Sequence, residues 1–230
     1  MRTPDAPDWS GLPEIFRRVA EQNLTYLKPR KLRSLLDALA RVKSAGVAGD
    51  FVEFGVALGG SAICIASQLD GTRRFAGYDV FGMIPPPTDK DGAKPNARYE
   101  TIRSGQSQGI GGATYYGYVE DLLAVVKANF AAFDLPVDDR RIRLVRGRYE
   151  ESLAGEPPAA VAFAHVDCDW YESVRTCLDH LRANLSPGGV AVFDDYNDWE
   201  GCRLAVDEFV AAEPGFTVLR LQPHAVLMRN

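Results

Sequence analysis

Five aspartates follow two apolar runs of the chain, and carboxylates in such numbers can bind a metal ion. The run VAFAHV is followed by Asp167 and Asp169, and the run VAVF is followed by Asp194, Asp195 and Asp198. Crowded carboxylates repel one another and are costly where water is scarce, and a dication would offset that repulsion. Multi-carboxylate sites made only of oxygen ligands suit Mg²⁺, Mn²⁺ or Ca²⁺. We therefore predict that Asp167, Asp194 and Asp195 are metal ligands.

The same cluster offers several candidates for a general base. A dication lowers the pKa of a hydroxyl and orients it, while a nearby carboxylate or imidazole accepts the proton. The candidate bases are Asp195, Asp198 and His165, although His165 could instead be a core histidine satisfied by the backbone. Strand alternation would place His165, Asp167 and Asp169 on one face if the strand extends that far. We interpret Asp169 rather as the N-cap of a helix that begins near Tyr171.

A second candidate site follows the first predicted strand. The segment VEFGVALGGSA places Glu53 near the end of that strand, Gly55 at the turn and Ser61 just inside the following helix. Glycines let a ligand approach the backbone closely, and a helix N-terminus favours an anionic group. The spacing G-x-x-x-G-G matches neither the dinucleotide fingerprint G-x-G-x-x-G nor a P-loop. We predict a ligand-binding turn in which Gly55 and Ser61 help to position the ligand.

Two acids narrow the identity of that ligand. Asp79 ends the second predicted strand, about 20 residues after the glycine turn, where an acid commonly binds ribose hydroxyls. Glu53 lies in an apolar strand and needs a partner, which a ligand ammonium would provide. A ligand with an amino acid at one end and a ribose in its middle is S-adenosylmethionine. The alternatives are that Glu53 bonds backbone amides and that Asp79 caps a turn.

The end of the third predicted strand adds a weaker candidate. In the segment LVRGRYEES, the strand ends at Gly147, which would place the backbone of Arg148 and Tyr149 near the adenine of such a ligand. Glu150 or Glu151 could instead begin a helical turn.

Alternating strand and helix patterns must position these residues. They predict a single domain over residues 1–230, built on a doubly wound, mostly parallel, Rossmann-like α/β sheet with an antiparallel C-terminal strand. Apolar residues at helical spacing predict an N-terminal helical cap over about 11–46. The pattern breaks over about 83–118, where Pro, Gly and Tyr accumulate. We interpret this segment as a lid-like insertion that orders over a ligand, and a disordered insertion is the alternative.

Composition excludes several classes of function. The 230 residues carry a net charge of -5, which argues against a nucleic-acid partner that relies on phosphate neutralisation. The N-terminus lacks an apolar segment typical of a secretory signal, and no apolar run has the length of a membrane span. The four cysteines are scattered without a C-x-x-C pair, which favours free thiols in a cytoplasmic protein.

Three motifs resemble the macrocin O-methyltransferase (TylF-like) family: GDFVEFGVALGGSA, HVDCDWYES and LSPGGVAVFDDYNDWEGCRLAVDEF. The resemblance covers about residues 25–212. It implies a class I methyltransferase fold, S-adenosylmethionine as donor, Mg²⁺ as cofactor and a homo-oligomer. The acceptor it implies is a hydroxyl of a deoxysugar on a secondary metabolite.

Mapped onto this chain, the resemblance assigns Mg²⁺ to Asp167, Asp194 and Asp195, with Asp167 also beside the donor, and assigns the glycine turn with Glu53 to the donor. Cys168 stands where the family usually has glycine. The wording VFGMIPPP after Asp79 departs from the family's usual SFEGLP, and this segment would cover the acceptor.

We therefore expect an S-adenosylmethionine- and Mg²⁺-dependent O-methyltransferase that acts on a sugar hydroxyl of a natural product or related glycoside. A catechol-like phenol is the alternative acceptor on the same fold, and a phenol needs less activation. A nicotinamide-dependent oxidoreductase is disfavoured by the missing dinucleotide fingerprint. A non-catalytic binding module is disfavoured by the aspartate cluster.

Overall fold

The computed structural model describes residues 8–155 and 157–230. A seven-stranded sheet in the order β3-β2-β1-β4-β5-β7-β6 forms its centre. The first five strands are parallel, and β7 is antiparallel to both β5 and β6, as predicted. The strands are β1 (Asp50–Phe54), β2 (Phe75–Asp79), β3 (Ile142–Arg146), β4 (Val161–Val166), β5 (Leu185–Phe193), β6 (Phe216–Arg220) and β7 (Ala225–Arg229).

Helices cover both faces of this sheet, so that side chains alternating along each strand enter two separate apolar layers. On β1, Phe51 packs in the layer with the N-terminal helices, and Phe54 packs in the layer with the two last helices. The helices are α1 (Glu14–Glu21), α2 (Pro29–Ser44), α3 (Gly60–Ala66), α4 (Ala93–Arg103), α5 (Leu122–Ala132), α6 (Tyr149–Ser152), α7 (Tyr171–Asn184) and α8 (Glu200–Ala212).

Helix α2 illustrates how the sequence specifies an element that later reaches the site. Pro29 occupies its first turn, where a missing amide hydrogen costs nothing, and Arg41 and Lys43 lie in its last turn, where cations favour the helix dipole. Leu32, Leu35, Leu39 and Val42 recur at helical spacing and are fully buried against the sheet. The apolar stripe therefore fixes which side of α2 packs on the sheet.

The insertion over 83–118 contains more regular structure than its sequence indicated. It holds a 3₁₀ turn at Asp89–Asp91, helix α4 and two further short turns. Helix α4 has the sequence AKPNARYETIR and buries only Pro95 and Ile102. Such a helix has no apolar stripe, so periodicity could not reveal it. No helix in the described segments combines the length and the apolar character that a bilayer crossing needs.

Candidate active site

A cavity of about 400 Å³ lies at the carboxyl edge of the parallel strands. The turns that follow β1, β2, β3, β4 and β5 border it, the insertion covers it from one side, and the start of α2 reaches it from another. This edge is where open parallel sheets bind ligands, because the loops that follow adjacent strands converge there. The volume is in the range of pockets for small molecules and cofactors.

The predicted metal ligands meet at one end of this cavity. Asp167, Asp194 and Asp195 each offer a carboxylate oxygen, and these oxygens lie within 4.8 Å of one another. The meeting follows from the sheet, because β4 and β5 are parallel neighbours whose last residues, Val166 and Phe193, lie side by side. Asp167 follows β4 directly, and a 3₁₀ turn that begins directly after β5 carries the other two aspartates.

Burial and mutual repulsion make this cluster electrostatically costly. Burial raises the pKa of Asp167, and the charge of Asp194 raises it further. Burial also raises the pKa of Asp195, with the charges of Asp169 and Asp167 acting in the same direction. Among the described residues, neither Asp167 nor Asp195 has a salt-bridge partner. Neither carboxylate is paired directly with a cation in that part of the chain, although the nearby His165 acts to lower the pKa of Asp167.

Asp194 differs from its two neighbours because three basic side chains surround it. Lys31 Nζ lies 2.8 Å from Asp194 Oδ2, and His224 Nδ1 lies 3.2 Å from Asp194 Oδ1. His165 Nε2 lies 3.9 Å from the same Oδ1. Although burial opposes it, His165, His224 and Lys31 together hold the pKa of Asp194 well below its usual range.

His165, a predicted base, is paired with Glu53, which we predicted to bind the methyl donor. They face each other across β1 and β4, and His165 Nδ1 lies 2.7 Å from Glu53 Oε1. Both side chains are fully buried, and neither belongs to the cavity wall. Burial would lower the pKa of His165, but Asp194 and Glu53 raise it to about 10. His165 is therefore a buried histidine with a carboxylate partner, in place of the backbone partner that we considered.

The glycine turn after β1 is organised by Asp79. Its Oδ2 accepts hydrogen bonds from the amides of Val56 at 2.7 Å and Ala57 at 3.0 Å, and its Oδ1 accepts one from Phe81 at 2.6 Å. Asp79 also borders the cavity. The turn-capping alternative therefore describes real contacts of this side chain, while its role toward a ribose stays a prediction.

Gly55 lies where the glycine turn after β1 meets the segment that follows β4. Its φ is +91°, a conformation that favours glycine, and a Cβ at this position would lie 1.8 Å from the carbonyl oxygen of Asp167. The backbone of the glycine turn therefore rests directly on Asp167, one of the predicted metal ligands. Ser61 is buried in α3 outside the cavity wall. Burial raises the pKa of Glu53, and the hydrogen bond with Ser61 acts in the opposite direction.

Only part of the predicted binding segment after β3 borders the cavity. Arg148 and Tyr149 border the cavity, whereas Gly147 lies behind them with its amide donating to the carbonyl of Asp79 at 3.0 Å. Glu150 and Glu151 lie within the short helix α6, so the helical turn that we considered as an alternative is also present.

The interpretation of Asp169 as a helix cap is wrong. Helix α7 begins at Tyr171, and the amide of Tyr171 donates to Asp91 Oδ1 of the insertion at 2.6 Å. Asp169 instead takes a left-handed conformation with φ of +59° after β4 has ended, and its side chain borders the cavity. Its amide donates to Asp195 Oδ2 at 2.9 Å. The spacing of Asp167 and Asp169, two residues apart after the same strand, is the sequence feature that could have indicated this position.

Aromatic side chains connect the insertion to the acid cluster. Trp170 Nε1 donates to the carbonyl of Pro85 at 2.9 Å, and its ring packs edge-on against Trp199 at 5.4 Å. Lys94 of α4 lies over the Trp199 ring and donates to the carbonyl of Asp198 at 2.9 Å. The Asp198 carboxylate itself is more than half exposed and pairs with Lys31, which lies 2.9 Å away.

Comparisons with known proteins agree with this architecture. The family model described as macrocin O-methyltransferase (TylF) matches residues 17–215. The 8-demethyl-8-(2,3-dimethoxy-alpha-L-rhamnosyl)-tetracenomycin-C 4'-O-methyltransferase of Streptomyces olivaceus is 33% identical over 184 residues, which are 78% of this chain and 65% of that protein. The mycinamicin III 3''-O-methyltransferase of Micromonospora griseorubida is 29% identical over 192 residues, 80% of this chain and 69% of that protein. The chain thus spans about two thirds of the length of these relatives.

Solved structures give the same result for the fold. The O-methyltransferase NovP superposes with a TM-score of 0.74 at 25% identity, covering 90% of this chain and 82% of that chain. The calicheamicin methyltransferase CalS11 superposes with a TM-score of 0.63 at 21% identity, covering 100% of this chain and 99% of that chain. The second likeness concerns the fold alone.

Proposed function

The chain belongs to the macrocin O-methyltransferase (TylF) family, and from this premise we propose that it transfers a methyl group from S-adenosylmethionine to a sugar hydroxyl of a natural product or related glycoside. The observation that carries the proposal is the convergence of three carboxylates beside a glycine turn in one cavity. A methyl donor and an activated hydroxyl must occupy adjacent positions for an in-line displacement, and we propose that both bind in this cavity.

The residues present fit a divalent metal ion. The donor set is made only of carboxylate oxygens, which are ligands that Mg²⁺ prefers, and two of the three carboxylates lack a partner cation in the described residues. Asp167, Asp194 and Asp195 would hold the ion. A bound dication would lower the pKa of the acceptor hydroxyl and orient it. Mg²⁺ is the ion that we propose for this site.

The residues around the glycine turn fit the methyl donor. Gly55 and Ala57 border the cavity, and the carboxylate of Asp79 connects the amide of Ala57 to the turn after β2. Arg148 and Tyr149, which follow β3, also border the cavity, and we propose that the adenine lies beside them. Glu53 and Ser61 are buried outside the cavity wall, so we propose that they act on donor binding indirectly, without touching the donor.

The base must lie in the cavity to reach the acceptor proton. Asp169, Asp195 and Asp198 border the cavity and His165 does not, so the existing partners of the three aspartates must distinguish them. His165 is enclosed with Glu53 outside the wall, and the Asp198 carboxylate is exposed and held by Lys31. Asp195 is proposed as a metal ligand and also accepts the Asp169 amide. Asp169 borders the cavity directly beside the proposed ligands. We infer that Asp169 accepts the proton.

The sugar hydroxyl is proposed from the relatives and from the walls of the cavity. The relatives' names describe methylation of a rhamnosyl-bearing tetracenomycin and of mycinamicin III, and a third, at 29% identity, is a demethyldecarbamoylnovobiocin O-methyltransferase of Streptomyces niveus. Ile84, Ile102 and Trp170 give the acceptor side of the cavity apolar and aromatic surface. Such surface suits the apolar scaffold to which a sugar of this kind is attached.

The experiment that tests the proposal is methyl transfer with purified protein, S-adenosylmethionine and Mg²⁺. A panel of deoxysugar glycosides is set against catechols, and mass spectrometry identifies products. We expect methylated glycoside, and we expect chelation with EDTA to abolish it and added Mg²⁺ to restore it. Methylation of catechols alone would overturn the sugar assignment, and activity that survives EDTA would overturn the metal.

A second measurement addresses the oxidoreductase alternative and the oligomer. Titration with S-adenosylhomocysteine and with NAD separates the two cofactor classes, and we expect binding of the first alone. The resemblance also implies a homo-oligomer, and we expect sedimentation to give a mass above the 25.2 kDa of one chain.

A further inference from the structure

The N-terminal helix α2 touches the acid cluster through a lysine in its first turn. Lys31 Nζ donates to Asp194 Oδ2 at 2.8 Å and to the carbonyl oxygen of Asp194 at 3.1 Å. It also lies 2.9 Å from Asp198 Oδ2. These contacts join positions 163 or more residues apart, and the Lys31 side chain is only 20% exposed. One ammonium therefore holds both the side chain and the main chain of a proposed metal ligand.

The same helix reaches the other oxygen of Asp194 by a second route. Ser34, one turn after Lys31, lies with its Oγ 2.7 Å from His224 Nε2, and His224 Nδ1 lies 3.2 Å from Asp194 Oδ1. Ser34 and His224 are both buried. The two routes leave α2 three residues apart, which places their side chains on one face of the helix.

This arrangement is not explained by the packing of α2. The other buried positions of the helix are leucine, alanine and valine, which pack on the sheet. A buried serine and a largely buried lysine are costly in such a face unless their polar atoms are satisfied. Both are satisfied by groups that lead to a single carboxylate. Metal sites commonly use such outer partners to orient the groups that bind the ion.

We propose that Lys31 is a positioning residue of the metal site, assisted by the Ser34–His224 pair, and that α2 thereby fixes the orientation of the Asp194 carboxylate toward a divalent cation. The inference rests on the proposed function, since it assigns partners to one of the proposed metal ligands. The hydrogen bonds to Lys31 and His224 restrict rotation of the Asp194 side chain, so that the carboxylate is already oriented when the ion arrives.

Charge and orientation make opposite predictions for the loss of Lys31. If the ammonium acted only through its charge, its removal would strengthen the binding of a dication, because like charges repel. If it positions Asp194, its removal weakens binding in spite of the lost repulsion. The direction of the change in metal affinity therefore separates the two roles.

The test is calorimetric titration of Mn²⁺ into the apo protein, which reads metal binding without activity. Lys31→Met is expected to weaken Mn²⁺ binding about tenfold, and Ser34→Ala less, at unchanged affinity for S-adenosylhomocysteine. Lys31→Gln keeps a hydrogen-bond donor without the charge and is expected to recover part of the loss. Lys43→Met is the matched control, because Lys43 lies on the same helix and donates to the carbonyl of Gln68, away from the cluster.

Unchanged or tighter Mn²⁺ binding in a folded Lys31→Met protein would overturn the inference and leave the proposed function standing. If the wild-type protein itself binds no Mn²⁺, the metal part of the proposed function fails first. Circular dichroism of each variant establishes that it is folded. If Lys31→Met does not fold, Ser34→Ala carries the test, and normal metal binding by that variant overturns the inference.

Discussion

Aspartates that follow strands have different partners in two regions of the cavity. We call these regions the donor end, formed by the glycine turn and Asp79, and the metal end, formed by Asp167, Asp194 and Asp195. At the donor end, the carboxylate of Asp79 accepts three backbone amides within 3.0 Å. At the metal end, Asp167 and Asp195 lack a salt bridge in the described part of the chain. Burial raises their pKa, as it raises that of Asp79, and neighbouring carboxylates raise it further. A carboxylate that accepts three backbone amides organises a turn, whereas Asp167 and Asp195, of which Asp195 accepts a single amide, keep oxygens available for a cation.

Neutralising one carboxylate at the metal end is expected to have the largest effect. Asp167→Asn keeps the size of the side chain and removes one anionic ligand. We expect turnover to fall about a thousandfold, roughly 4 kcal/mol of activation free energy, while donor affinity changes little. Initial rates and titration with S-adenosylhomocysteine measure the two quantities.

Asp37→Asn is the matched control for that variant, because Asp37 lies on α2 with its side chain 62% exposed. A near-normal rate for Asp167→Asn would contradict the metal assignment.

Removal of the inferred base is expected to rank second. Asp169→Asn preserves the main-chain hydrogen bond to Asp195 but cannot accept the proton, and we expect the rate to fall about a hundredfold at saturating metal. Asp198→Asn and His165→Gln provide the comparison. A larger loss of rate in Asp198→Asn than in Asp169→Asn would return the role of base to the exposed carboxylate.

At the donor end, we expect a substitution to lower the free energy of unfolding more than it lowers the rate of methyl transfer. Asp79→Asn replaces a charged acceptor of three amides by a side chain with one acceptor oxygen, so we expect about 2 kcal/mol less free energy of unfolding. Donor affinity should fall with it, and the rate at saturating donor should remain close to normal. Urea denaturation and calorimetry check both. Unchanged stability with lost donor binding would show that Asp79 acts on the ribose alone.

The smallest effect is expected where the insertion meets the cluster. Trp170→Phe removes the hydrogen bond to the carbonyl of Pro85 but keeps an aromatic ring beside Trp199. We expect a loss of about 1 kcal/mol in stability and a few-fold rise in the KM of the acceptor, because one neutral hydrogen bond is lost. An unchanged KM would separate the insertion from acceptor binding.

The sequence alone was sufficient to predict that Asp167, Asp194 and Asp195 converge, because their positions depend only on which residues directly follow two adjacent strands. Asp167 directly follows β4, and the pair after Phe193 directly follows β5, so parallel neighbours in consecutive order bring them together. The same rule predicted that Asp79 lies at the cavity, but it did not predict which groups Asp79 contacts. Whether backbone amides or a ligand satisfy a strand-end carboxylate depends on the path of the following turn, which residue types alone do not specify.

The remaining parts of the site depend on contacts between distant segments. Asp91 takes the first amide of α7 across 80 residues, which frees Asp169 for the cavity. Lys31 reaches Asp194 across 163 residues, and Ser34 reaches His224 across 190. None of these pairs leaves a periodic pattern, and helix α4 has no apolar stripe either. Packing between elements, rather than propensity within them, determines these contacts.

The central claim is that carboxylates from the ends of two strands hold one dication beside the methyl donor. A crystal structure with Mn²⁺ and S-adenosylhomocysteine, read for anomalous scattering from manganese, tests it most directly. The account predicts one manganese peak coordinated by Asp167, Asp194 and Asp195, next to the sulfur of the bound nucleoside. A peak at other residues, or a nucleoside bound away from the glycine turn, would contradict it.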